Sequence, residues 1–328
     1  MTDSIGCHAI GSGPVAYTDA VERVLVTGAA SWIGGRVVQE LEPHHEVIAV
    51  DELEPRLAFA ARLHRYSMDS LDFAQFVVDR KPTTVIHLQT LDRSAEIGAT
   101  RSRSGAVLGA QALFGAIERV GSVRHVVVKS DTAIYSTGPR HASVLSESTR
   151  IGGRATRYER NLRDIEVFVT NLRPSMPEVS FTVLRLGPIF GPTVGNPISR
   201  YLTLPVVPTL MGFDGRMQLL YEDDAVHAVV FASQEAKADG LFNVAGDGMV
   251  YLSRMLRMGR RIGQPLPAPL LRQARRLLGI SGLQLPEHTA NLLKYGRYVT
   301  TDRMTRDLKF HPAHTTRQAI ERTYGGRT

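Results

Sequence analysis

Between residues 23 and 186 the chain repeats one alternation of hydrophobic and polar positions. A short run of apolar, mostly β-branched residues is followed by a longer stretch with helical spacing of its apolar positions. The short runs predict strands at Arg23–Thr27, Glu46–Val50, Thr84–His87, His125–Lys129 and Ser180–Leu186. The longer stretches predict helices near Gly35–Leu41, Arg56–Leu63, Leu71–Arg80, Ser104–Val120 and Arg160–Leu172. Strands that are apolar almost throughout have both faces covered, so the pattern implies an α/β fold with a parallel, doubly wound sheet. After Leu186 the alternation breaks at Gly187-Pro188-Ile189-Phe190-Gly191-Pro192. Beyond it, turn signals at Gly212, Asp214-Gly215, Gly240 and Asp247-Gly248 separate shorter elements.

The first repeat carries the most specific chemistry. The strand Val24-Leu25-Val26-Thr27 enters Gly28-Ala29-Ala30-Ser31-Trp32-Ile33-Gly34, which opens a helix. A strand turning tightly into a helix N-terminus leaves free amide groups and the positive end of the helix dipole facing one point, which makes an anion site. Gly28 allows the tight turn, and Gly34 allows close packing of helix on strand. Asp51 ends the next strand about 20 residues on, where an acid accepts hydrogen bonds from an adenosine ribose. Strand, turn, helix, strand and acid in that order predict a dinucleotide site in a Rossmann-type domain. Ser31 stands where related turns carry a middle glycine; its Cβ crowds the pyrophosphate, while its hydroxyl adds a polar group. The competing reading of Asp51 is that it caps the next helix.

The expected organisation is a flexible tail over 1–20, a Rossmann domain over 21–186, and a smaller substrate lobe over 187–328. Some segments of that lobe return to the first domain.

Composition narrows the function classes. At 328 residues and 43% hydrophobic content the chain can bury a large core. It has no apolar run of membrane length and no secretory signal pattern, so neither a membrane role nor export is expected. The single cysteine, Cys7, excludes an intrachain disulfide and fits a reducing cytoplasm. The net charge is +7, carried almost wholly by arginine. Its densest cluster, Arg254, Arg257, Arg260, Arg261, Arg272, Arg275 and Arg276, lacks interleaved aromatics and reads as solvated helix faces rather than a nucleic-acid surface. His44-His45 read as turn residues. His311 and His314 lack neighbouring carboxylates or cysteines, so no metal site is expected.

Taken in order, the landmarks resemble the extended short-chain dehydrogenase/reductase family of the NAD-dependent epimerase/dehydratase type, similar to UDP-glucose 4-epimerases. They are the cofactor turn at 27–34, Asp69 in Met68-Asp69-Ser70-Leu71-Asp72, Val85-Ile86-His87-Leu88-Gln89, Leu184-Arg185-Leu186-Gly187-Pro188-Ile189-Phe190-Gly191-Pro192, Tyr221-Glu222-Asp223-Asp224-Ala225-Val226 and Leu241-Phe242-Asn243-Val244-Ala245-Gly246. The resemblance implies cofactor contacts from Gly28, Ser31, Trp32, Ile33, Gly34, Asp51, Asp69, Ser70, Leu88, Gln89, Ser130, Tyr158, Gly187 and Pro188. It implies NAD rather than NADP, because Asp51 repels a 2′-phosphate and Trp32 stands where NADP-binding relatives often carry a basic residue.

The family's chemistry uses a Ser or Thr, a Tyr, and a Lys four residues after the Tyr. The hydroxyl position here is Asp131, flanked by Ser130 and Thr132, and the helix motif reads Tyr158-Glu159-Arg160-Asn161-Leu162. The tyrosine is kept and the lysine is a leucine. A leucine cannot depress a phenol pKa of about 10, so Tyr158 is expected to stay neutral and donate a hydrogen bond. The catalytic set implied is Tyr158, Asp131 and Thr132. Thr132 also faces substrate, and Arg216, beside Met217, stands next to the place of a diphosphate-binding arginine. The implied activity is hydride transfer between nicotinamide and a carbonyl or carbinol of a nucleotide sugar or other polar metabolite. The partner is thus a small molecule, and a homodimer is possible. The alternative is a catalytically silent dinucleotide-binding sensor or scaffold.

Overall fold

A computed structural model describes residues 22–90, 105–139, 141–234, 238–280 and 282–325. The predicted tail, with Cys7, lies outside them. The N-terminal part runs β1 (Arg23–Thr27), α1 (Trp32–Leu41), β2 (Glu46–Asp51), β3 (Leu63–Arg65), α2 (Leu71–Arg80), β4 (Thr84–His87), α3 (Gly105–Val120), β5 (His125–Asp131), α4 (Arg157–Leu172) and β6 (Ser180–Leu186). A 3₁₀ turn, Thr132–Tyr135, follows β5 directly. The remainder runs β7 (Ile189–Phe190), α5 (Pro197–Leu202), β8 (Val206–Leu210), β9 (Arg216–Met217), β10 (Leu220–Tyr221), α6 (Glu222–Gln234), β11 (Gly240–Val244), β12 (Val250–Tyr251), α7 (Leu252–Met258), β13 (Ile262–Leu266), α8 (Ala268–Ile280), α9 (Glu287–Tyr295), α10 (Asp302–Arg306) and α11 (Thr316–Gly325).

The central sheet has seven strands in the order β11-β6-β5-β4-β1-β2-β3, every neighbour pair parallel. The order reverses between β1 and β4, which places the crevice for ligands at their carboxyl ends. Both faces are covered, as continuously apolar strands require. Val24, Val26, Val127 and Leu184 pack with α1 and α6 on one face. Leu25, Val85, Val126 and Val183 pack with α2, α3 and α4 on the other. A separate core holds β8, β9, α5, α7 and α11 together. A fourth cluster of Ala133, Ile134, Tyr135, Leu145, Leu162, Ala245 and Val299 sits under the carboxyl edge of the sheet.

The helix predicted over Arg56–Leu63 does not form. That segment has no regular structure, bends at 56–57 and 60–61, and ends in β3, while its exposure alternates residue by residue. Leu57, Phe59, Ala61 and Leu63 all pack against the core, a period of two that suits an extended chain and not a helix. Glu42 fixes it by accepting from the Ala60 and Ala61 amides. β2 ends on Asp51, and β5 runs further than predicted, to Asp131.

Candidate functional site

The turn between β1 and α1 is built for close approach. Gly28 has φ +77°, and a Cβ there would meet the Gln89 amide nitrogen at 3.0 Å. A Cβ on Gly34 would lie 2.1 Å from the Gly28 carbonyl oxygen. Ser31 caps α1: its hydroxyl accepts from the Gly34 amide at 3.0 Å and donates to the Gly28 carbonyl at 2.7 Å. The Trp32 and Ile33 amides, in the first turn of α1, meet no acceptor among the described residues. Arg36 lies over the Trp32 ring and donates to Asp223 at 2.9 Å.

Asp51 is wholly buried at the tip of β2. Its carboxylate accepts from the amides of Ala30 at 2.9 Å, Glu52 at 2.7 Å and Leu53 at 3.1 Å, so it binds the turn to the next strand. Asp69 accepts from the Ser67 hydroxyl at 2.6 Å, and Ser70 caps α2. Leu88 and Gln89 are buried against Gly28, and Gln89 Oε1 has no partner among the described residues. An orphaned polar atom beside a glycine cradle and two free helix-start amides fits a bound dinucleotide.

The second half of the site lies beyond β5. Asp131 Oδ1 accepts from the Ala133 amide at 2.6 Å, capping the 3₁₀ turn, while Oδ2 accepts from the Tyr158 hydroxyl at 3.1 Å. A quarter of the Asp131 side chain remains exposed. Tyr158 is placed by a capping box at the start of α4. The Thr156 hydroxyl accepts from the Glu159 amide, and the Glu159 carboxylate accepts from the Thr156 amide. Burial raises the Tyr158 phenol pKa well above its ordinary value. The Asp131 charge and hydrogen bond raise it further, opposed by Arg297. Tyr158 is therefore a neutral donor. The His288 ring lies 4.5 Å from the Tyr158 ring, its imidazole pushed below the ordinary histidine range by burial.

Leu162, expected from the sequence at the place of the family lysine, is packed into the cluster under the sheet edge. Two cations approach Asp131 from elsewhere. Arg297 is buried; its guanidinium donates to the Thr132 hydroxyl at 3.0 Å and lies 3.5 Å from Asp131 Oδ1. Its Nε has no partner among the described residues. Lys129, two residues before Asp131, reaches the Thr90 hydroxyl at 3.4 Å; burial lowers its ammonium pKa and Asp131 opposes that. Arg297, His288 and the placement of Lys129 were missed in the sequence. No local signal marks Arg297, which lies 166 positions from Asp131.

Other predicted residues lie apart from this cluster. The Ser130 hydroxyl donates to Glu166 at 2.5 Å, on the opposite face of β5 from the Asp131–Tyr158 pair. Gly187 donates to the Val244 carbonyl at 2.7 Å and Pro188 accepts from the Leu220 amide at 3.0 Å, which stitches the loop after β6 to β11 and β10. Arg216 serves through its backbone: its carbonyl accepts from the Arg297 amide at 2.9 Å. Gly296, at φ +71°, makes that contact possible, since a Cβ there would lie 2.2 Å from the Arg216 nitrogen.

A groove of about 980 Å³ runs beside the start of α4, lined by Ser136, Arg150, Arg154, Arg157, Arg160 and Asn291. Asn291 also lines a cavity of about 310 Å³ between β8, α8 and α9, whose walls include Leu210, Leu271, Arg275 and Lys294.

The sequence pattern of the NAD dependent epimerase/dehydratase family matches residues 24–245. The chain belongs to that family. It is 32% identical over 320 residues to the uncharacterized protein Rv0501 of Mycobacterium tuberculosis, covering 93% of this chain and 84% of the relative. The uncharacterized protein Mb0513 of Mycobacterium bovis matches to the same extent. Among solved structures the fold is similar to UDP-glucose 4-epimerase of Thermotoga maritima with UDP-glucose, at TM-score 0.70 and 18% identity, covering 92% of this chain and 97% of that one. MoeE5 in complex with UDP-glucuronic acid and NAD gives TM-score 0.70 at 20% identity, covering 92% and 98%. The family is NAD-dependent, and the turn after β1 has the glycines and free amides such a cofactor needs.

Proposed function

We propose that this family member is an NAD-dependent oxidoreductase or epimerase of polar metabolites, nucleotide sugars first among them, working with an altered proton-handling set. The observation that carries this reading is the Asp131 carboxylate. It stands where the family has its substrate-orienting hydroxyl, and it is partly open to solvent between Tyr158 and Arg297.

The Trp32 and Ile33 amides, Gly28 and Gln89 would hold NAD, with Asp51 beside the ribose. NAD supplies a hydride acceptor or donor when bound. The chain's own residues handle the proton. A substrate hydroxyl that loses hydride from its carbon passes its proton to the Asp131 carboxylate. Tyr158, kept as a phenol, donates its hydrogen bond to Asp131 Oδ2 and so holds that carboxylate in place. Arg297 holds Thr132 and faces the carboxylate, so the anion stays oriented. The arginine-lined groove, which shares Asn291 with the cavity bearing Arg275 and Lys294, suits an anionic substrate such as a nucleotide sugar.

The test uses the full chain with NAD and a panel of UDP-sugars and polar ketones, following nicotinamide absorbance and product by mass spectrometry. Turnover is expected from the native protein. Asp131→Asn is expected to lower it by on the order of 100-fold or more while leaving NAD affinity unchanged. The rival reading, a silent NAD-binding sensor, is favoured by one observation: Leu162 is core, leaving no cation at the family position. NAD binding with no hydride transfer across the panel would establish the sensor.

A further inference from the structure

The stretch from Gly248 to Pro286 contains seven arginines, Arg254, Arg257, Arg260, Arg261, Arg272, Arg275 and Arg276, and no acidic residue. It alone equals the net charge of +7 of the whole chain. The same stretch exposes apolar side chains. No residue of α8 is fully buried. Leu271 and Arg275 line the cavity beneath the helix and Leu278 packs on the core of that lobe. On the other side Leu270, Leu277 and Ile280 are 49%, 67% and 79% exposed. At the helical repeat these three fall within an arc of about 80°, with Gln273 among them and Arg276 about 40° beyond its edge. The strand leading into α8 adds Ile262, also exposed, whose cross-strand neighbour Val206 is exposed too.

Three uncovered aliphatic side chains beside arginines, with no carboxylate in the segment, have the composition of a helix lying in a lipid interface. A second copy of this chain meeting the same face would set the arginine-rich stretch against itself. Nucleic acid is disfavoured because the exposed face of α8 is aliphatic, with no aromatic ring on which a base can stack. Among the described residues no helix is long and apolar enough to cross a membrane, so contact would be peripheral. We propose that the outer face of α8 docks this protein on an anionic lipid surface, with Leu270, Leu277 and Ile280 entering the acyl boundary and Arg276 meeting the headgroups. The inner face of the same helix walls the cavity, so docking would bring that cavity to the lipid surface.

The experiment is co-sedimentation of the full chain with vesicles of phosphatidylcholine alone and of equimolar phosphatidylcholine and phosphatidylglycerol, at low and high salt. Binding is expected only to the anionic vesicles and is expected to weaken in high salt. Arg276→Glu should weaken it by on the order of tenfold. The double variant Leu277→Ser/Ile280→Ser should weaken it by a similar factor, with the circular dichroism spectrum unchanged. If the double variant fails to fold, Arg276→Glu alone decides, because its side chain is exposed. Absence of binding to anionic vesicles overturns the proposal, as does binding indifferent to Arg276→Glu. Loss of dimerisation or of oligonucleotide binding in these variants, without vesicle binding by the native chain, overturns it in favour of a protein or nucleic-acid partner.

Discussion

At the turn between β1 and α1, the groups offered to a ligand are main-chain amides, aimed by the φ of Gly28 and by the contact of Gly34 with the Gly28 carbonyl. At the edge beyond β5, the groups offered are side chains from separate segments: Asp131, Tyr158 from the start of α4, and Arg297 from the strand-like segment after α9. Against the motifs read from the sequence, the turn is expected to differ at Ser31, and the edge at Asp131 and Leu162. Backbone chemistry is the same for most residue types, so a turn can be preserved by two glycines alone. A side-chain site has to be rebuilt whenever one member changes. Here Leu162 packs beneath an edge at which Asp131, Arg297 and Lys129 converge.

If the edge depends on side chains, removing one buried partner beneath it should do the most damage. Arg185 and Glu166 form an ion pair with almost no exposure, at 2.6 Å. Arg185 also donates to the Tyr135 hydroxyl at 2.8 Å, and Ser130 donates to Glu166, so the network ties β5, β6 and α4 together. Arg185→Met leaves Glu166 buried with its main partner gone. A loss of about 3–5 kcal/mol is expected in urea unfolding. A change under about 1 kcal/mol would mean the edge does not rest on this network.

The turn should show its dependence through pH instead. His87, at the tip of β4, shares a hydrogen bond with the Thr27 hydroxyl at 2.8 Å and is wholly buried. Burial, with a smaller contribution from Lys129, lowers its pKa from 6.5 to about 4. The unfolded chain therefore binds a proton between those values that the folded chain refuses. Stability from this residue is complete above about pH 6.5 and is lost as pH falls towards 4, by roughly 3 kcal/mol in all. Denaturation midpoints across that window check the slope. His87→Leu should flatten it, and an unchanged slope would count against a neutral His87.

A side chain introduced where the turn needs none gives the next effect. Gly34→Ala forces a Cβ against backbone at 2.1 Å, which only a shift of α1 from β1 relieves. A cost of about 1–3 kcal/mol is expected, with NAD affinity measured by calorimetry falling alongside it. Retained affinity in a destabilised variant would separate the turn's packing from its binding.

The two regions also differed in how far the sequence disclosed them. Gly28, Gly34, Ser31 and Asp51 lie within one continuous segment, and strand, turn and cap each have local signatures there. The parallel strands and the covered faces of the sheet followed from the same alternation. The segment after Asp51 misled because Leu57, Phe59, Ala61 and Leu63 suit a period of two that was read as helical. Asp131 is expected from the sequence as a departure from a motif, and Tyr158 as the tyrosine that the motif keeps. Arg297 is not, since only folding brings it to Thr132, 165 positions away, through a backbone bridge to Met217 in which the Arg297 amide donates to the Arg216 carbonyl. The two roles of Asp131, cap and acceptor, likewise need coordinates, because each oxygen serves a different partner.

The smallest effect tests whether Tyr158 is a donor only. Its hydroxyl makes one bond, to Asp131 Oδ2 at 3.1 Å, and its raised pKa keeps the proton on the phenol through the neutral range. Tyr158→Phe removes one donor from a carboxylate that keeps the Ala133 amide and faces Arg297. The expected cost is about 0.5–1.5 kcal/mol in unfolding, and about tenfold in turnover once a substrate is in hand. A proton-transfer residue would instead cost on the order of 100-fold or more. A drop of that larger size would make Tyr158 the acid or base despite its environment. It would assign Arg297, which opposes the rise in the phenol pKa, the work the family gives a lysine. Arg297→Lys would then separate the two cases, since a lysine keeps the charge but loses the fork that holds Thr132. Under the donor-only reading it weakens the orientation of Asp131 and leaves the pH profile of turnover in place, whereas under the other it moves the profile.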